Sequence, residues 1–264
     1  MGQPSLLIVV PTLDSYLLLP RLIHSLKLQT FSDWRLVFID GPSDAKHRTW
    51  LKDCCSADTR FGWVEQLPDS PGIFGAMNQG FSLAEPDEWI LFWGSDDWAP
   101  HPYVLENLFS LITSPDCIYD LVISTGRYVN LTTMIPGRST RFHPQGVLDS
   151  CSYRRSLFLG STPPHQATLF CPSKFRKRSH YSPSFRLAAD LDYFLQLSSH
   201  PDLSVMCTDL ELVHISDGGI SARQSRSRFQ EVRRAYFNIY GFLWIFPFSL
   251  RYFRRFISLF VSIL

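Results

Sequence analysis

The chain has 264 residues, of which 45% are hydrophobic and 19% charged. That is ample apolar material for one large domain, or one domain with an appendage, and it excludes a disordered chain. A formal net charge of +1 excludes the usual profile of a nucleic-acid binder and of an acidic tail, although Lys and Arg gather toward the C-terminal half.

Six cysteines (Cys54, Cys55, Cys117, Cys151, Cys171, Cys207) form no Cys-x-x-Cys pair and no zinc spacing, which points to a reduced, cytosolic compartment. The opening Met1-Gly2-Gln3-Pro4-Ser5 has no basic n-region and no cleavage site, so no signal peptide is expected.

Ser5 to Val10 is an apolar run rich in branched residues, stopped by Pro11-Thr12, and reads as a buried first strand. Asp14 or Ser15 is positioned to cap a helix whose stripe is Leu18, Leu22 and Leu26 with Leu19 and Ile23 beside it, ending near Gln29-Thr30. Pro20 is tolerable there only in the first turn. Trp34 to Ile39 is a second strand and delivers Asp40-Gly41-Pro42-Ser43-Asp44, which completes a βαβ unit with a right-handed crossover. Ala45 to Cys55 reads as a helix, Phe61 to Gln66 as a strand, Gly72 to Leu83 as a helix and Trp89 to Trp93 as a fourth strand. This alternation predicts a mostly parallel sheet covered on both faces. No Gly-x-Gly-x-x-Gly follows the first strand, which weakens a dinucleotide-binding reading.

Further on, His101 to Ile112 is a predicted helix and Asp120 to Asn130 a strand, whereas Leu131 to Pro164 fades into Gly, Pro, Ser and Arg and reads as a loop or a small hairpin. His165-Gln166 precedes a short strand, Ala167 to Cys171. Phe185 to Ser198 is a helix carrying Asp190 and Asp192. Leu210 to Ile215 is a strand closing on Asp217-Gly218-Gly219-Ile220-Ser221, and Arg223, Arg226, Arg228, Arg233 and Arg234 crowd the helix after it.

The stretch Glu88 to Trp98 carries the strongest chemical signal. A buried strand that stops at Gly94-Ser95 and releases Asp96-Asp97 places paired hard oxygen ligands beyond the carboxyl end of a sheet, where ligands of α/β folds bind. Such ligands suit Mg²⁺ or Mn²⁺ carrying a phosphate. The plainer reading is a turn or a helix cap.

Seven segments in order, spread over about 220 positions, resemble the family 2 glycosyltransferases: Val9-Val10-Pro11-Thr12, Asp40 to Asp44, Gly72 to Gly80, Ser95-Asp96-Asp97, His165-Gln166, Ala189 to Asp192 and Gly218 to Ser221. These are inverting nucleotide-sugar transferases of the GT-A fold, and the similarity points to the branch of bacterial exopolysaccharide and colanic-acid-type biosynthesis. The resemblance implies an α/β fold with a mostly parallel central sheet flanked by helices and a hydrophobic C-terminal helical appendage. Residues 1–236 would form the GT-A domain, with a nucleotide-binding half over 1–98 and an acceptor half over 99–236.

The resemblance further implies roles. Pro11, Thr12, Asp14 and Asp40 would line the nucleotide pocket of a nucleoside-diphosphate sugar, with a UDP-sugar favoured. Asp40 accepts only, so it matches the imide N–H of uracil and equally the donors of guanine. Gly72 and Asn78 would run below the diphosphate and sugar at a helix start. Asp97 matches the last acid of the family's metal motif, with Asp96 as its neighbour on metal and donor. Asp190 matches the general base, with Asp192 as the alternative. Two residues apart on a helix, these point about 200° apart, so only one faces the site. His165 and Gln166 would lie on the acceptor side or serve as structural hydrogen-bond formers. Arg223, Arg226 or Arg228 would clamp a diphosphate from the donor or a lipid-linked acceptor.

Two departures stand out. The family's Asp-x-Gly-Ile-Tyr-Asp-Ala-Met-Asn-Lys-Gly has Ser70-Pro71 before Gly72 here and Gly75 in place of the second Asp. Gly94 stands where many members have the first Asp of the metal motif.

The segment 237–264 holds two aromatic-rich apolar runs divided by Arg251, Arg254 and Arg255. Neither run is long enough to span a membrane, and aromatics beside arginines fit a segment lying at the membrane interface. A helix pair packed on the domain, or a contact in a homodimer, is the alternative. The expected activity is metal-assisted inverting transfer of a sugar to a hydroxyl of a polysaccharide or polyprenyl-linked oligosaccharide at the cytoplasmic membrane face. A nucleotidyltransferase and a degenerate glycan-binding scaffold are the rivals. The former expects a basic Gly-rich loop that Val9 to Asp14 does not supply, and the latter is favoured by Gly75 and Gly94.

Overall fold

The computed structural model describes residues 5–112, 119–171, 180–217 and 225–261. The first 98 residues alternate as the sequence predicts: β1 (Ser5–Thr12), α1 (Leu19–Lys27), β2 (Trp34–Asp40), α2 (Ala45–Ala57), β3 (Phe61–Glu65), α3 (Ile73–Leu83) and β4 (Glu88–Phe92). Then come α4 (Val104–Ile112), β5 (Leu121–Val129), β6 (Pro136–Thr140), β7 (Gly146–Leu148), α5 (Ser150–Phe158), a 3₁₀ turn (His165–Ala167) and β8 (Thr168–Phe170). The chain continues through α6 (Ala189–Leu197), β9 (Val205–Ser216), α7 (Ser225–Tyr240), a 3₁₀ turn (Gly241–Trp244) and α8 (Ile245–Val261).

The strands form one sheet in the order β3-β2-β1-β4-β8-β5-β9-β7, with β6 paired to β5. β1 to β4 run parallel to one another. β8 then enters antiparallel between β4 and β5, so the sheet is mixed rather than uniformly parallel. β1 is buried on both faces. Leu7 and Val9 join a cluster with Ala76, Met77 and Phe81 of α3, while Leu6, Ile8 and Val10 join Leu19, Leu22 and Leu26 of α1. That two-sided burial is why the strand reads as a continuous apolar run.

Three local expectations change. Neither Asp14 nor Ser15 caps α1, which starts at Leu19 behind Leu18 with Pro20 in its first turn. Asp14 has φ 48 and accepts a hydrogen bond from Asp44 N at 2.8 Å, so the loop is fastened to β2's exit instead. The region 131–164 contains the expected hairpin, β6 on β5, and also α5, whose polar sequence hides its period. Asp149 caps α5 by accepting from Ser152 N at 2.8 Å. β9 runs back to Val205, held across irregular pairing by Thr125 Oγ1, which donates to Leu210 O at 3.0 Å.

The C-terminal segment is helical and docks on the domain. Val232, Ala235 and Tyr236 of α7 are core residues, and Trp244, Phe248 and Tyr252 pack against that core. α8 crosses close over Gly160, where a Cβ would lie 2.6 Å from Arg251 N. Arg251 itself is 4% exposed and donates to the Thr162 hydroxyl. Its outer face bears Phe246, Phe253 and Phe256, continuing Phe242 and Leu243 of the turn before it. Among the described residues no helix is long and apolar enough to cross a membrane.

Candidate active site

β1, β2 and β4 end side by side. Thr12 is in register with Asp40, and Trp93 N reaches Val9 O at 3.1 Å, so three loops converge at one sheet edge. Asp40 sits at their base, 1% exposed. Its Oδ1 accepts from Ser43 Oγ at 2.6 Å and Thr12 Oγ1 at 3.1 Å. His47 Nε2 lies 3.1 Å from the same oxygen, within ion-pair distance but not aligned as a hydrogen bond. Oδ2 is buried without a hydrogen bond, with Arg48 Nε 3.5 Å away. Asp14 is exposed, in a left-handed conformation uncommon outside glycine, and its N–H donates to Ser43 Oγ at 3.0 Å. Pro11 contributes its carbonyl, which accepts from Ser95 Oγ at 3.3 Å.

The two adjacent acids behind Ser95 differ sharply. Asp97 is 2% exposed and accepts from Gly94 N at 2.6 Å. Burial and the neighbouring Asp96 charge push its carboxyl well above the ordinary carboxylate range, against the pull of the Gly94 N–H. Asp96 is half-buried, keeps solvent contact and accepts from the Ser216 hydroxyl at the end of β9. A Cβ on Gly94 would lie 3.0 Å from Asp96 Oδ1 and 3.2 Å from Asp97 Oδ2, so both carboxylates fold back over the missing side chain.

At α3, Gly72 is the N-cap residue, with φ 84 and open space where a side chain would stand. Asn78 spends both ends of its amide on one residue. Nδ2 donates to Tyr181 O at 2.9 Å, and Oδ1 accepts from Tyr181 N at 2.8 Å. Gly75 is forced by the backbone, because a Cβ there would lie 1.9 Å from Ser70 O. Gln66 Nε2 holds that turn, donating to Ser70 O at 2.7 Å and Gly72 O at 2.6 Å. Ser70-Pro71 and Gly75 are therefore one structural change.

Across the sheet, Tyr181 OH meets His165 Nε2 at 2.6 Å, and the imidazole stacks on Phe92. Burial lowers the His165 pKa to about 4 despite the opposing charge of Asp190, so the ring is neutral at physiological pH. Tyr181 is pushed well up by burial, then by Tyr193 and Asp190. Asp190 is half-buried on the first turn of α6, close enough to influence both rings. Asp192 points the other way, is 2% exposed and accepts from Gln196 Nε2 at 2.5 Å, and burial raises its pKa. Gln166 contributes its carbonyl to Trp93 Nε1 at 3.0 Å. Arg226 is exposed on the first turn of α7. Arg223 and the Gly218-Gly219 turn lie outside the described residues.

Residues 7–176 match the sequence model described as glycosyl transferase family 2. The chain belongs to that family. A relative named a PGL/p-HBAD biosynthesis glycosyltransferase, from Mycobacterium bovis (strain BCG / Pasteur 1173P2), is 27% identical over 208 residues, covering 77% of this chain and 73% of the relative. One from Mycobacterium tuberculosis (strain ATCC 25177 / H37Ra) matches equally. Among solved structures, S. aureus TarS 1–349 aligns with TM-score 0.65 at 15% identity, over 90% of this chain and 66% of that one. The same fragment in complex with UDP-GlcNAc gives TM-score 0.66 at 15% identity, over 90% and 67%. The mannosyltransferase PcManGT from Pyrobaculum calidifontis, in complex with GDP-Man and Mn²⁺, gives TM-score 0.63 at 12% identity, over 90% and 64%. This glycosyltransferase thus has the GT-A fold, and glycosyl transfer is its chemistry.

Several residues of the site escape sequence reasoning. Ser43 lies inside the segment quoted above, but nothing distinguishes it as the partner of Asp40. His47 and Ser216 reach the site only through the register of β2 and β9. Tyr181 carries no local signal, since its place depends on Asn78, 103 positions earlier.

Proposed function

We propose that this glycosyltransferase moves a sugar, with inversion, from a nucleoside-diphosphate sugar to a hydroxyl of a polysaccharide or lipid-linked oligosaccharide, using Asp190 as general base. The observation that carries the reading is the division of labour among four acids. Asp96 and Asp190 keep solvent contact, whereas their neighbours Asp97 and Asp192 are turned into the protein. A base must reach the acceptor hydroxyl, and a metal ligand must reach the ion.

The residues fit a divalent ion held chiefly by the donor. Among the described residues no three His, Cys, Asp or Glu side chains cluster, so Asp96 is the protein's main carboxylate for Mg²⁺ or Mn²⁺ and the diphosphate supplies further oxygens. An ion so held provides Lewis-acid neutralisation of the departing nucleoside diphosphate. Of the expected pair Asp97 and Asp96, we assign the metal contact to Asp96, because Asp97 is buried against the Gly94 N–H. Thr12, Ser43 and Asp40 form the floor for the base, with Asp40 buried beneath the other two as the acceptor of both hydroxyls. A UDP-sugar is the favoured donor, and GDP-mannose is the rival that the PcManGT complex supports. Asp190 takes the acceptor proton as the hydroxyl attacks the anomeric carbon from the face opposite the leaving diphosphate. The outward aromatic face of the C-terminal helices, in a stretch that has no acid after Glu231, lies against anionic lipid at the cytoplasmic membrane surface.

The test is calorimetric titration with UDP, GDP, TDP and CMP, with and without Mn²⁺. Metal-dependent binding of one nucleotide should be lost in Asp96→Asn and retained in Asp97→Asn. Because burial disfavours the Asp97 carboxylate, Asp97→Asn should also be more stable than wild type above pH about 4, the gain growing as pH rises toward the raised pKa. Loss of binding in Asp97→Asn with an intact fold would restore Asp97 as the ligand, and failure of every nucleotide to bind would end the catalytic reading.

A further inference from the structure

The helix that carries Asp190 has no cap of its own. Ala188 stands at the N-cap position of α6 and offers no side-chain hydrogen bond, which leaves the backbone N–H groups at this end to be satisfied from elsewhere. Glu231, on α7, supplies the partner. Its Oε2 accepts from Leu187 N at 2.8 Å and Ala188 N at 2.9 Å, and both its oxygens lie 3.1 Å from Arg186 N. Three consecutive backbone N–H groups converge on one carboxylate, more than forty residues away in sequence. One turn further along α7, Arg234 donates to Ser184 O and lies 4.1 Å from the ring centroid of Phe185. α7 thus grips the approach to α6 through an acceptor at one point and a donor at the next.

Ordinary helix caps come from the residue just before the helix, and Ser, Thr, Asp or Asn there would have sufficed. A carboxylate imported from another helix does more: it ties the start of α6 to α7 rather than to its own loop.

We infer that Glu231 is a positioning residue for glycosyl transfer: by holding the backbone that leads into α6, it sets where the first turn presents Asp190. The inference rests on Asp190 as the base.

The experiment uses the full chain and Glu231→Gln, which preserves shape and one acceptor oxygen, with Glu231→Asp as the conservative control and Asp190→Asn beside them. Release of UDP from UDP-GlcNAc is followed against substrate concentration. In Glu231→Gln turnover should drop roughly tenfold with little change in KM, as expected for a misplaced base. Glu231→Asp, which keeps the carboxylate, should recover most of that loss. Wild-type turnover in Glu231→Gln, or a loss that lies in KM and is not recovered by Glu231→Asp, overturns the assignment. If Asp190→Asn is inactive under that outcome, the base reading survives alone. Wild-type turnover in Asp190→Asn overturns the base reading and this inference with it.

Discussion

Gly75 is the position where this chain departs most visibly from its family, and the structure makes a quantitative claim about it. Replacing a glycine within a helix with alanine ordinarily stabilises the helix by up to about 1 kcal/mol, and Gly75 lies in the first turn of α3. Here the new Cβ would sit 1.9 Å from Ser70 O and 2.5 Å from Ser70 C, whereas ordinary contact begins at 3.4 Å. The 66–72 turn would have to retreat by about 1.5 Å (3.4 − 1.9). Overpacking of this kind costs about 1–3 kcal/mol. The retreat also strains the bonds from Gln66 Nε2 to Ser70 O and from Ser70 N to Leu67 O, worth about 1 kcal/mol. Gly75→Ala should therefore be destabilising by roughly 1–3 kcal/mol net, or about 2–4 °C in Tm for each kcal/mol in a chain of this size. Gly75→Asp, which restores the family residue, should fare worse and should not gain activity, since the backbone occupies the space its carboxylate needs. Urea unfolding with m held constant is the assay. An alanine variant as stable as wild type, or more so, would show that Ser70 is not where the clash requires it, and the explanation of this departure would fail.

Two further outcomes follow from the geometry. His165 titrates near 6.5 when unfolded and about 4 when folded. The stability it contributes as a neutral ring is present above pH 6.5 and is lost as pH falls from 6.5 toward 4, about 3 kcal/mol in all. His165→Gln should flatten that slope in stability measured against pH, and an unchanged slope would place its origin elsewhere. At the C-terminus, Phe246→Glu with Phe253→Glu changes only exposed positions. The double variant should lose co-sedimentation with phosphatidylglycerol vesicles while keeping its Tm, and wild-type sedimentation would refute the membrane-facing assignment.

Much of the N-terminal half was legible because its elements obey local rules. A strand buried on both faces must read as an apolar run, and Asp40 and Asp96 must fall where such runs end. What the sequence could not show was direction. Asp96 and Asp97 are neighbours with the same side chain, and only the fold of the Gly94 turn sends one to solvent and the other inside. For Asp190 and Asp192 helical geometry already required opposite facings, and the structure shows which is which. Asn78 matched a donor-binding segment, yet both ends of its amide hold Tyr181. α5 went unread because Ser150 to Phe158 buries only Tyr153, Ser156 and Leu157, too few to show a period. β8 is three residues long, and its antiparallel insertion depends on partners about eighty and fifty positions earlier.

That short strand has a bearing on how the protein is made. β4 ends one half of the alternating α/β sequence, but its outer edge is covered by Leu169 and Phe170, which pair with Leu91 and Ile90. While the chain is emerging from the ribosome, this apolar strand therefore waits some seventy-five residues with its hydrogen-bonding edge open, a template for unwanted strand pairing. Residues 1–98, the half proposed to bind the nucleotide, therefore lack a partner strand that the fold requires, and expressed alone they should aggregate rather than fold.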